Sequence, residues 1–365
     1  MDASARIPVS LITGFLGSGK TTLLGRILHK PGMADTAVII NEFGEIGLDH
    51  ELVESSEDNV VLLASGCLCC TIHTSLVDTL RRLFDKRKEG SIPAFNRVLV
   101  ETTGLADPAP IIHTLMNNSF VRHHFKLDCI VTTVDVVHGW QQLDQQPESV
   151  KQAAVADRLV LTKLDIAKPG EVERLTQRLK KLNPGALLIT ADHGDVDEAL
   201  LFGAGLYDPS SKSADVVRWL NAEAYLEREG HDHHHHHDHG HQHHDHGHSH
   251  DRGHGQDAHN VNRHDAHIQA HCLIYDKSLN WRYFSPNLAS LISRHAEKLL
   301  RVKGILNVDG EDRPVVVHGV QEQFQRLMLN EWPSDDRRSK LVLITRDLDR
   351  DVISRWLRAD TLFDG

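Results

Sequence analysis

The glycine-rich segment at residues 14–21 constrains the fold of this 365-residue chain more than any other feature. It reads Gly-Phe-Leu-Gly-Ser-Gly-Lys-Thr, which fits the pattern G-x-x-x-x-G-K-[ST]. An apolar, strand-like run at residues 9–13 precedes it, and a helical pattern at residues 22–30 follows. Between a strand and a helix, such a loop wraps its backbone N–H groups around phosphates, with help from the field of the helix N-terminus. The segment therefore predicts a P-loop nucleotide-binding domain.

Individual side chains of this loop are predicted to contact the nucleotide. We expect Lys20 to reach the β- and γ-phosphates and to take part in catalysis, and Thr21 to hold Mg²⁺. The glycines let the backbone close around the phosphates. The other predicted nucleotide contacts in this segment are Gly14, Gly17, Ser18, Gly19 and Thr22.

A second motif follows a strand-like run at residues 97–100. The run leads into Glu101, and Gly104 comes three positions later. In P-loop enzymes an acid at such a strand end orients the Mg²⁺ shell, and a nearby glycine can approach the γ-phosphate. The usual acid is Asp, so the longer Glu101 needs a slightly different placement. We predict that Glu101 and Gly104 are catalytic and that Glu101 shares Mg²⁺ with Thr21.

A third motif indicates which base is bound. Thr162-Lys163-Leu164-Asp165 follows a strand-like run at residues 158–161 and is similar to the guanine-reading pattern N-K-x-D, with Thr in place of Asn. The Asp165 carboxylate can accept both N–H groups on the edge of guanine, and the Lys163 stem can pack on the base. Adenine offers no such pair of donors, and a buried carboxylate left unpaired is costly. The motif therefore predicts GTP.

Strand-like and helical patterns alternate through the first half of the chain. The predicted strands are residues 9–13, 37–40, 60–64, 97–100, 129–134, 158–161 and 186–190. The predicted helices include residues 22–30, 73–88 and 171–182. Continuous apolar strands that alternate with helices are typical of a mostly parallel sheet covered on both faces. The predicted fold class is α/β.

A histidine-rich tract interrupts this pattern. Of the 28 histidines, 18 lie in residues 231–271, among Asp and Gly with almost no apolar residues. Such a segment cannot bury enough surface to offset its ordering entropy, so we predict a disordered linker. Neutral imidazole binds zinc, nickel, cobalt or copper near pH 7, and the tract is predicted to collect metal. The candidate ligands at its start are His231, His233, His234, His235, His236 and His237.

The chain after the tract is predicted to form a small α+β domain. Its expected strands are residues 268–275, 305–308, 315–318 and 341–344, and its expected helices are residues 288–300 and 352–357. At this length a chain commonly divides into two domains. We expect a P-loop GTPase domain at residues 1–208, a linker with the histidine tract at residues 209–266, and a C-terminal domain at residues 267–365.

Three of the five cysteines, Cys67, Cys69 and Cys70, lie within four residues. Three thiolates in one tight turn can converge on a single ion, and zinc favours four tetrahedral ligands with sulfur among them. His73, Glu42 and Glu45 are candidates for the missing ligand. Such an incomplete site suits release better than a closed structural site. Buried reduced cysteines and a redox pair remain as alternatives.

Composition excludes several classes of partner. The formal net charge is -11 and the sequence shows no basic stripe, which argues against nucleic-acid binding. No apolar run approaches the roughly 20 residues that a membrane span needs. The apolar start of the chain runs directly into the phosphate loop, which the protein must keep. We therefore predict no targeting segment and a cytoplasmic protein.

Together these motifs resemble the CobW-like family of P-loop GTPases, and within it the YjiA-type members. The segments that carry the resemblance are residues 14–22, 41–45, 66–70, 101–104, 162–165, 299–304 and 317–321. The resemblance implies slow GTP hydrolysis coupled to the movement of a metal, which is zinc in one branch and cobalt or iron in others. It implies GTP, Mg²⁺ and Zn²⁺ as ligands and metal-requiring client proteins as partners, and it allows for a homodimer.

Four functions are compatible with the sequence. The first is a GTP-driven zinc metallochaperone, and the second is a GTP-driven metallochaperone for cobalt, nickel or iron. The third is a zinc buffer with a vestigial GTPase. The fourth is a small-molecule kinase, against which the guanine motif at residues 162–165 argues.

Overall fold

A seven-stranded sheet organises the first part of the chain. The structure, a computed structural model, describes residues 6–40, 61–64, 72–203 and 267–358. The order of the strands in the sheet is β3-β2-β4-β1-β5-β6-β7, and every neighbouring pair is parallel. The strands are β1 (Ile7–Gly14), β2 (Thr36–Ile40), β3 (Val61–Ala64), β4 (Arg97–Glu101), β5 (Phe125–Asp135), β6 (Arg158–Thr162) and β7 (Leu187–Thr190). The predicted α/β fold is confirmed.

Helices cover both faces of this sheet. Leu159 and Leu161 of β6 pack in one apolar cluster, whereas Val160 between them packs in another, because successive strand residues face opposite sides. Both clusters include helical residues, such as Leu80 in the first and Leu179 in the second. The helices are α1 (Lys20–Leu28), α2 (Ile72–Glu89), α3 (Ala109–Asn117), α4 (Ser119–His124), α5 (Gly139–Gln145), α6 (Pro147–Val155), α7 (Glu171–Leu182) and α8 (Glu198–Leu201).

The C-terminal domain contains an antiparallel sheet of order β11-β10-β9-β12-β8. Its strands are β8 (Ile268–Tyr275), β9 (Leu299–Leu306), β10 (Val315–Val320), β11 (Gln323–Met328) and β12 (Ser339–Arg346). Two helices, α9 (Trp281–Arg294) and α10 (Arg350–Trp356), pack on one face against residues such as Val302, Leu341 and Leu343. The expected α+β domain is therefore present.

The predicted helix at residues 288–300 is wrong in its bounds. The helix begins at Trp281, where the Asn280 side chain accepts a hydrogen bond from the backbone of Arg282, as helix N-caps do. Pro286 lies inside this helix, in the part that the prediction left out. Residues 299 and 300 belong to β9, which also includes the first half of the strand expected at residues 305–308.

The second face of the antiparallel sheet packs against the nucleotide-binding domain. Leu300 and Ile344 share a buried cluster with Leu159 and Leu175 of the parallel-sheet domain. Ile305, Val316, Val320 and Leu329 join the other cluster of that domain. The two domains therefore share continuous apolar cores. Among the described residues, no helix is long and apolar enough to cross a membrane.

Candidate nucleotide-binding site

Four adjacent strands bring the sequence motifs to one edge of the parallel sheet. In the order β4-β1-β5-β6, these strands end at Glu101, Gly14, Asp135 and Thr162. The carboxyl ends of parallel strands lie at the same edge, where α/β proteins commonly bind ligands. The phosphate loop, the predicted Mg²⁺ ligands and the guanine motif therefore meet, although they span about 150 residues of sequence.

The phosphate loop depends on glycine at its first position. Gly14 has a φ of +142°, and a Cβ there would lie 2.4 Å from the Thr133 hydroxyl oxygen. Gly19 has a φ of +90° and precedes α1 directly. The Lys20 ammonium is nearly buried and donates to the carbonyl oxygens of Gly14 (3.0 Å) and Phe15 (3.2 Å). The loop thus holds a positive charge over its own backbone, at the start of a helix that favours anions.

Thr162 joins the phosphate loop to the guanine motif. Its hydroxyl donates to the carbonyl oxygen of Ser18 over 2.8 Å. The Ser18 hydroxyl in turn shares a 2.6 Å hydrogen bond with Thr133 at the end of β5. The threonine that replaces the usual asparagine therefore still fixes one loop against the other, which explains how the departure from N-K-x-D is accommodated.

Thr21 and Glu101 meet as the sequence predicted. The Thr21 hydroxyl donates to Glu101 Oε1 over 2.9 Å, and Glu101 is only 3 % exposed. Magnesium prefers hard oxygen ligands, and a hydroxyl beside a carboxylate supplies two of them. The longer glutamate side chain reaches the helix start from the end of β4. The two residues fit a Mg²⁺ ion next to the phosphates.

Gly104 packs directly against the phosphate loop. A Cβ on Gly104 would lie 2.6 Å from the backbone nitrogen of Leu16, so no larger residue fits there without movement. The Gln152 side chain in α6 donates to the carbonyl oxygens of Gly104 (3.1 Å) and Ala106 (3.0 Å). Gln152 is fully buried. It holds the loop after β4 at a fixed distance from the phosphate loop.

Asp107 connects the loop after β4 to both domains through its side chain. Its carboxylate accepts hydrogen bonds from Lys151 of α6 (2.6 Å) and from Gln321 of the C-terminal domain (3.3 Å). It also accepts from the backbone of Ala109 at the start of α3. Sequence reasoning missed Lys151, Gln152 and Gln321, because contacts across such long sequence separations leave no local pattern.

The base side of the site is organised by a buried acid that the sequence did not single out. The Asp135 carboxylate accepts from Lys163 (2.8 Å) and bonds to the His138 ring (2.9 Å). Burial raises the pKa of Asp135, but the hydrogen bonds from Lys163 and His138 outweigh it and leave the pKa below its ordinary value. The Asp165 side chain is 38 % exposed and lies 3.9 Å from the His193 ring, so a nucleotide base can reach it.

The predicted zinc ligands and the candidate ligands in the histidine tract lie outside the described residues. They are Cys67, Cys69, Cys70, Glu42, Glu45, His231, His233, His234, His235, His236 and His237. The backbone of His73 belongs to the first turn of α2, but its side chain also lies outside the described part. In the part of the chain that the structure describes, no three His, Cys, Asp or Glu residues are grouped so as to hold a metal ion.

The flanks of the cysteine segment are nevertheless described. Ile40, the last residue of β2, is the register partner of both Ala64 and Glu101. Ala64 ends β3, three residues before Cys67. The chain therefore leaves β3 towards the cysteines at the same sheet edge at which Glu101 meets Thr21.

The other two cysteines are buried thiols. Cys129 lies in β5 and Cys272 in β8, and both are free. Burial raises the pKa of Cys129 well above its ordinary value and that of Cys272 to about 11. Because the thiolate is the form that binds metals, these two residues are structural.

Comparison with known proteins agrees with this geometry. Residues 8–190 match the family model described as CobW/HypB/UreG, nucleotide-binding domain, and residues 268–359 match the cobalamin synthesis protein cobW C-terminal domain. The zinc chaperone YjiA of Escherichia coli is 32% identical over 347 residues, which cover 95% of this chain and 96% of the relative. The zinc chaperone CobW of Pseudomonas aeruginosa is 30% identical over 391 residues, covering 98% and 92%. The crystal structure of Zn(II)-bound YjiA GTPase from E. coli aligns with a TM-score of 0.65 and 28% identity, covering 98% of this chain and 100% of that one.

Proposed function

The chain belongs to the CobW/HypB/UreG family, and we propose that this GTPase binds zinc at Cys67, Cys69 and Cys70 and delivers it to metal-requiring client proteins. Two relatives that match nearly the whole chain are named zinc chaperones. Zinc is therefore the cargo that the comparisons favour over cobalt, nickel or iron. The cysteine motif supplies sulfur ligands of the kind that zinc prefers.

The observation that carries the proposal is the register of three strands. Ile40 pairs with Ala64 on one side and with Glu101 on the other. The segment with the three cysteines therefore starts two strands away from the carboxylate that contacts Thr21. A metal site attached to this edge can respond to the nucleotide, because both are anchored to the same rigid strands.

The described residues have distinct roles in GTP hydrolysis. Lys20 and the backbone N–H groups of the phosphate loop bind the phosphates, and Asp165 selects guanine. Thr21 and Glu101 would hold Mg²⁺, which when bound neutralises charge on the phosphate oxygens. Gly104 allows its loop to lie against the phosphate loop, and Gln152 keeps it there. Glu42, Glu45 and His73 stay candidates for a fourth zinc ligand.

The test is whether zinc affinity depends on the nucleotide. We would measure zinc affinity by competition with a chelator, with a non-hydrolysable GTP analogue and with GDP, in a variant that lacks residues 231–264. Linkage requires zinc and GTP to change each other's affinity by the same factor, and a coupling of about 1–3 kcal/mol is ordinary for such systems. We expect at least about a fivefold difference in zinc affinity between the two states.

Two controls separate this proposal from its alternatives. Equal zinc affinity in both nucleotide states would favour a zinc buffer over a delivery protein. The Cys67→Ser/Cys69→Ser/Cys70→Ser variant should lose the tight site, and if it keeps the site, the zinc is bound elsewhere. The metal content of protein purified without an affinity tag distinguishes zinc from cobalt, nickel or iron.

A further inference from the structure

A cleft of about 240 Å³ lies at the junction of the two domains. One wall is formed by Arg6 before β1 and by the first residues of β5. These strand starts are at the opposite sheet edge from the phosphate loop, so the cleft is separate from the nucleotide site. Its other wall is β11 of the C-terminal sheet, and its end is closed by the last residues of α3.

The cleft is positively charged in a chain of negative net charge. Arg6, Arg122 and Lys126 line it, together with Arg326, which forms an ion pair with Glu311 (3.8 Å). No carboxylate lines the cleft among the described residues. Within the described part of the chain, Arg6 and Arg122 form no ion pair with an acid, and the Arg6 side chain donates only to the Arg122 carbonyl oxygen. Like charges that line one concave surface focus a potential that attracts anions.

The wall formed by β11 is the edge of a sheet. Four consecutive residues, Phe324 to Leu327, line the cleft. Successive side chains of a strand point to opposite faces of its sheet. Four consecutive residues of β11 that all line the cleft therefore indicate that the edge of the strand borders it. Among the described strands, β11 pairs only with β10. A sheet edge presents backbone N–H and C=O groups with which a further strand can pair.

We propose that this cleft binds an acidic, extended segment of a partner protein, which adds to β11 as a further strand. Backbone pairing with β11 would supply affinity, and carboxylates facing Arg6 and Arg122 would supply selectivity. None of these residues belongs to the nucleotide site or to the cysteine motif. The inference therefore stands or falls separately from zinc delivery.

One wall of the cleft, β11, and the end of the cleft, formed by α3, are attached to the loop that contains Gly104. Helix α3 starts beside Asp107, runs for nine residues, or about 13 Å, and ends at the cleft. The hairpin of β10 and β11 contacts the same Asp107 at its tip, through Gln321, and borders the cleft with β11. Gln325 of β11 also donates to the carbonyl oxygen of Met116 in α3. Movement of the loop after β4 would therefore move the wall formed by β11 and the end of the cleft formed by α3.

The experiment uses a fluorescein-labelled peptide of alternating Glu and Val, with binding to the full-length chain followed by fluorescence anisotropy. We expect it to bind at least about tenfold more tightly than its Gln–Val counterpart, because charge gives the selectivity. Arg122→Glu should weaken binding by at least about fivefold, since it replaces attraction with repulsion. Lys277→Glu is the matched control, because it makes the same charge change on the loop after β8, at the other end of the same sheet.

Several results would overturn the proposal. A peptide with alternate backbone nitrogens methylated should lose binding, and equal binding would exclude strand addition. Preferential binding of oligo-dT, with displacement of the peptide, would make the cleft a nucleic-acid site. The chain could instead self-associate, bind no peptide and become monomeric in Arg122→Glu. That result would show that the cleft binds a second copy of the chain. If Arg122→Glu lowers the melting temperature, Arg6→Glu provides the same test, and unchanged peptide binding in the folded variant would place the site elsewhere.

Discussion

Two buried carboxylates, Glu101 at the nucleotide edge and Asp157 at the domain interface, have very different neighbours. The Asp157 carboxylate accepts hydrogen bonds from the charged side chains of Arg301 and Lys303 (2.5 Å for Lys303). It also accepts a hydrogen bond from the backbone N–H of Ile130. Glu101 instead accepts from the Thr21 hydroxyl. Burial raises the pKa of Asp157, but the charges of Lys303 and Arg301 outweigh it and hold the pKa far below its ordinary range.

This difference distinguishes a structural acid from one that is predicted to be functional. A buried charge whose partners are two cations on another domain holds surfaces together and is unavailable to a ligand. A buried carboxylate bonded to a hydroxyl lies beside a group that is itself a good Mg²⁺ ligand. The two sites therefore predict opposite results of mutation, namely loss of stability at Asp157 and loss of activity at Glu101.

The largest expected effect is on stability. Asp157→Ala leaves Arg301 and Lys303 buried without their carboxylate, and breaking a buried ion pair in this way typically costs about 3–5 kcal/mol. We expect that loss in the free energy of unfolding, measured by urea denaturation. Asp276→Ala is the control, because that carboxylate is 83% exposed and should contribute less than about 0.5 kcal/mol. A loss at Asp157 no larger than at Asp276 would refute the structural role.

Glu101→Gln should have the opposite effect to Asp157→Ala: it should lower activity and leave stability nearly unchanged. The substitution keeps the shape of the side chain but removes the charge that would hold Mg²⁺, so we expect GTP hydrolysis to fall by about a hundredfold, or roughly 2.7 kcal/mol in the barrier. The free energy of unfolding should change little. Hydrolysis rates at a saturating Mg²⁺ concentration, with the exposed Glu173→Gln as control, provide the measurement. Full activity in Glu101→Gln would remove this residue from the catalytic site.

The same contrast shows what the sequence could and could not predict. Glu101, Thr21 and the phosphate loop belong to short motifs whose spacing has a chemical reason, so their placement in one site and the parallel sheet that joins them could be predicted. Their roles stay predictions. The partners of Asp157 lie more than 140 residues away, and Arg301 and Lys303 look like ordinary strand or surface residues in the sequence. Pairing across that separation leaves no local pattern.

The misplaced helix has a related cause. Leucines at residues 288, 291, 299 and 300 fit helical spacing, but the last two follow a chain turn and lie in β9. Apolar spacing alone does not distinguish the end of a helix from the start of a buried strand. The cap at Asn280 was the better signal, because a side chain that accepts a hydrogen bond from the first turn fixes where the helix begins.

Gln152→Ala tests a smaller effect, on GTP hydrolysis at the nucleotide edge of the sheet. The amide holds the loop at Gly104 and Ala106 and has no predicted contact with the nucleotide. We expect kcat for GTP to fall by about tenfold, or roughly 1.4 kcal/mol in the barrier, with KM nearly unchanged. Gln145→Ala, an exposed residue at the end of α5, is the control. A rise in KM with kcat unchanged would show that Gln152 affects ground-state binding and not the position of the loop.

The last expected effect concerns the pH dependence of stability and tests the buried Lys303 beside Asp157. Burial lowers the pKa of Lys303 to about 8, with Arg301 acting in the same direction and Asp157 opposing both. Above pH 8 the folded chain has therefore largely lost this proton, whereas an unfolded lysine keeps it up to its ordinary pKa of 10.5. The unfolded state then binds more protons, so the contribution of Lys303 to stability rises with pH, by at most about 1.4 kcal/mol per pH unit.

Other buried groups act in the opposite direction, which makes a matched variant necessary. Burial raises the pKa of Cys272 to about 11, so this thiol keeps its proton when the unfolded chain loses it, and stability falls with pH. Subtracting the stability of Lys303→Met from that of the wild type cancels this contribution. The difference, measured by urea denaturation between about pH 7.5 and 9.5, should increase with pH. A flat difference would mean that Lys303 stays charged against Asp157 throughout this range, and that the ion pair outweighs its burial.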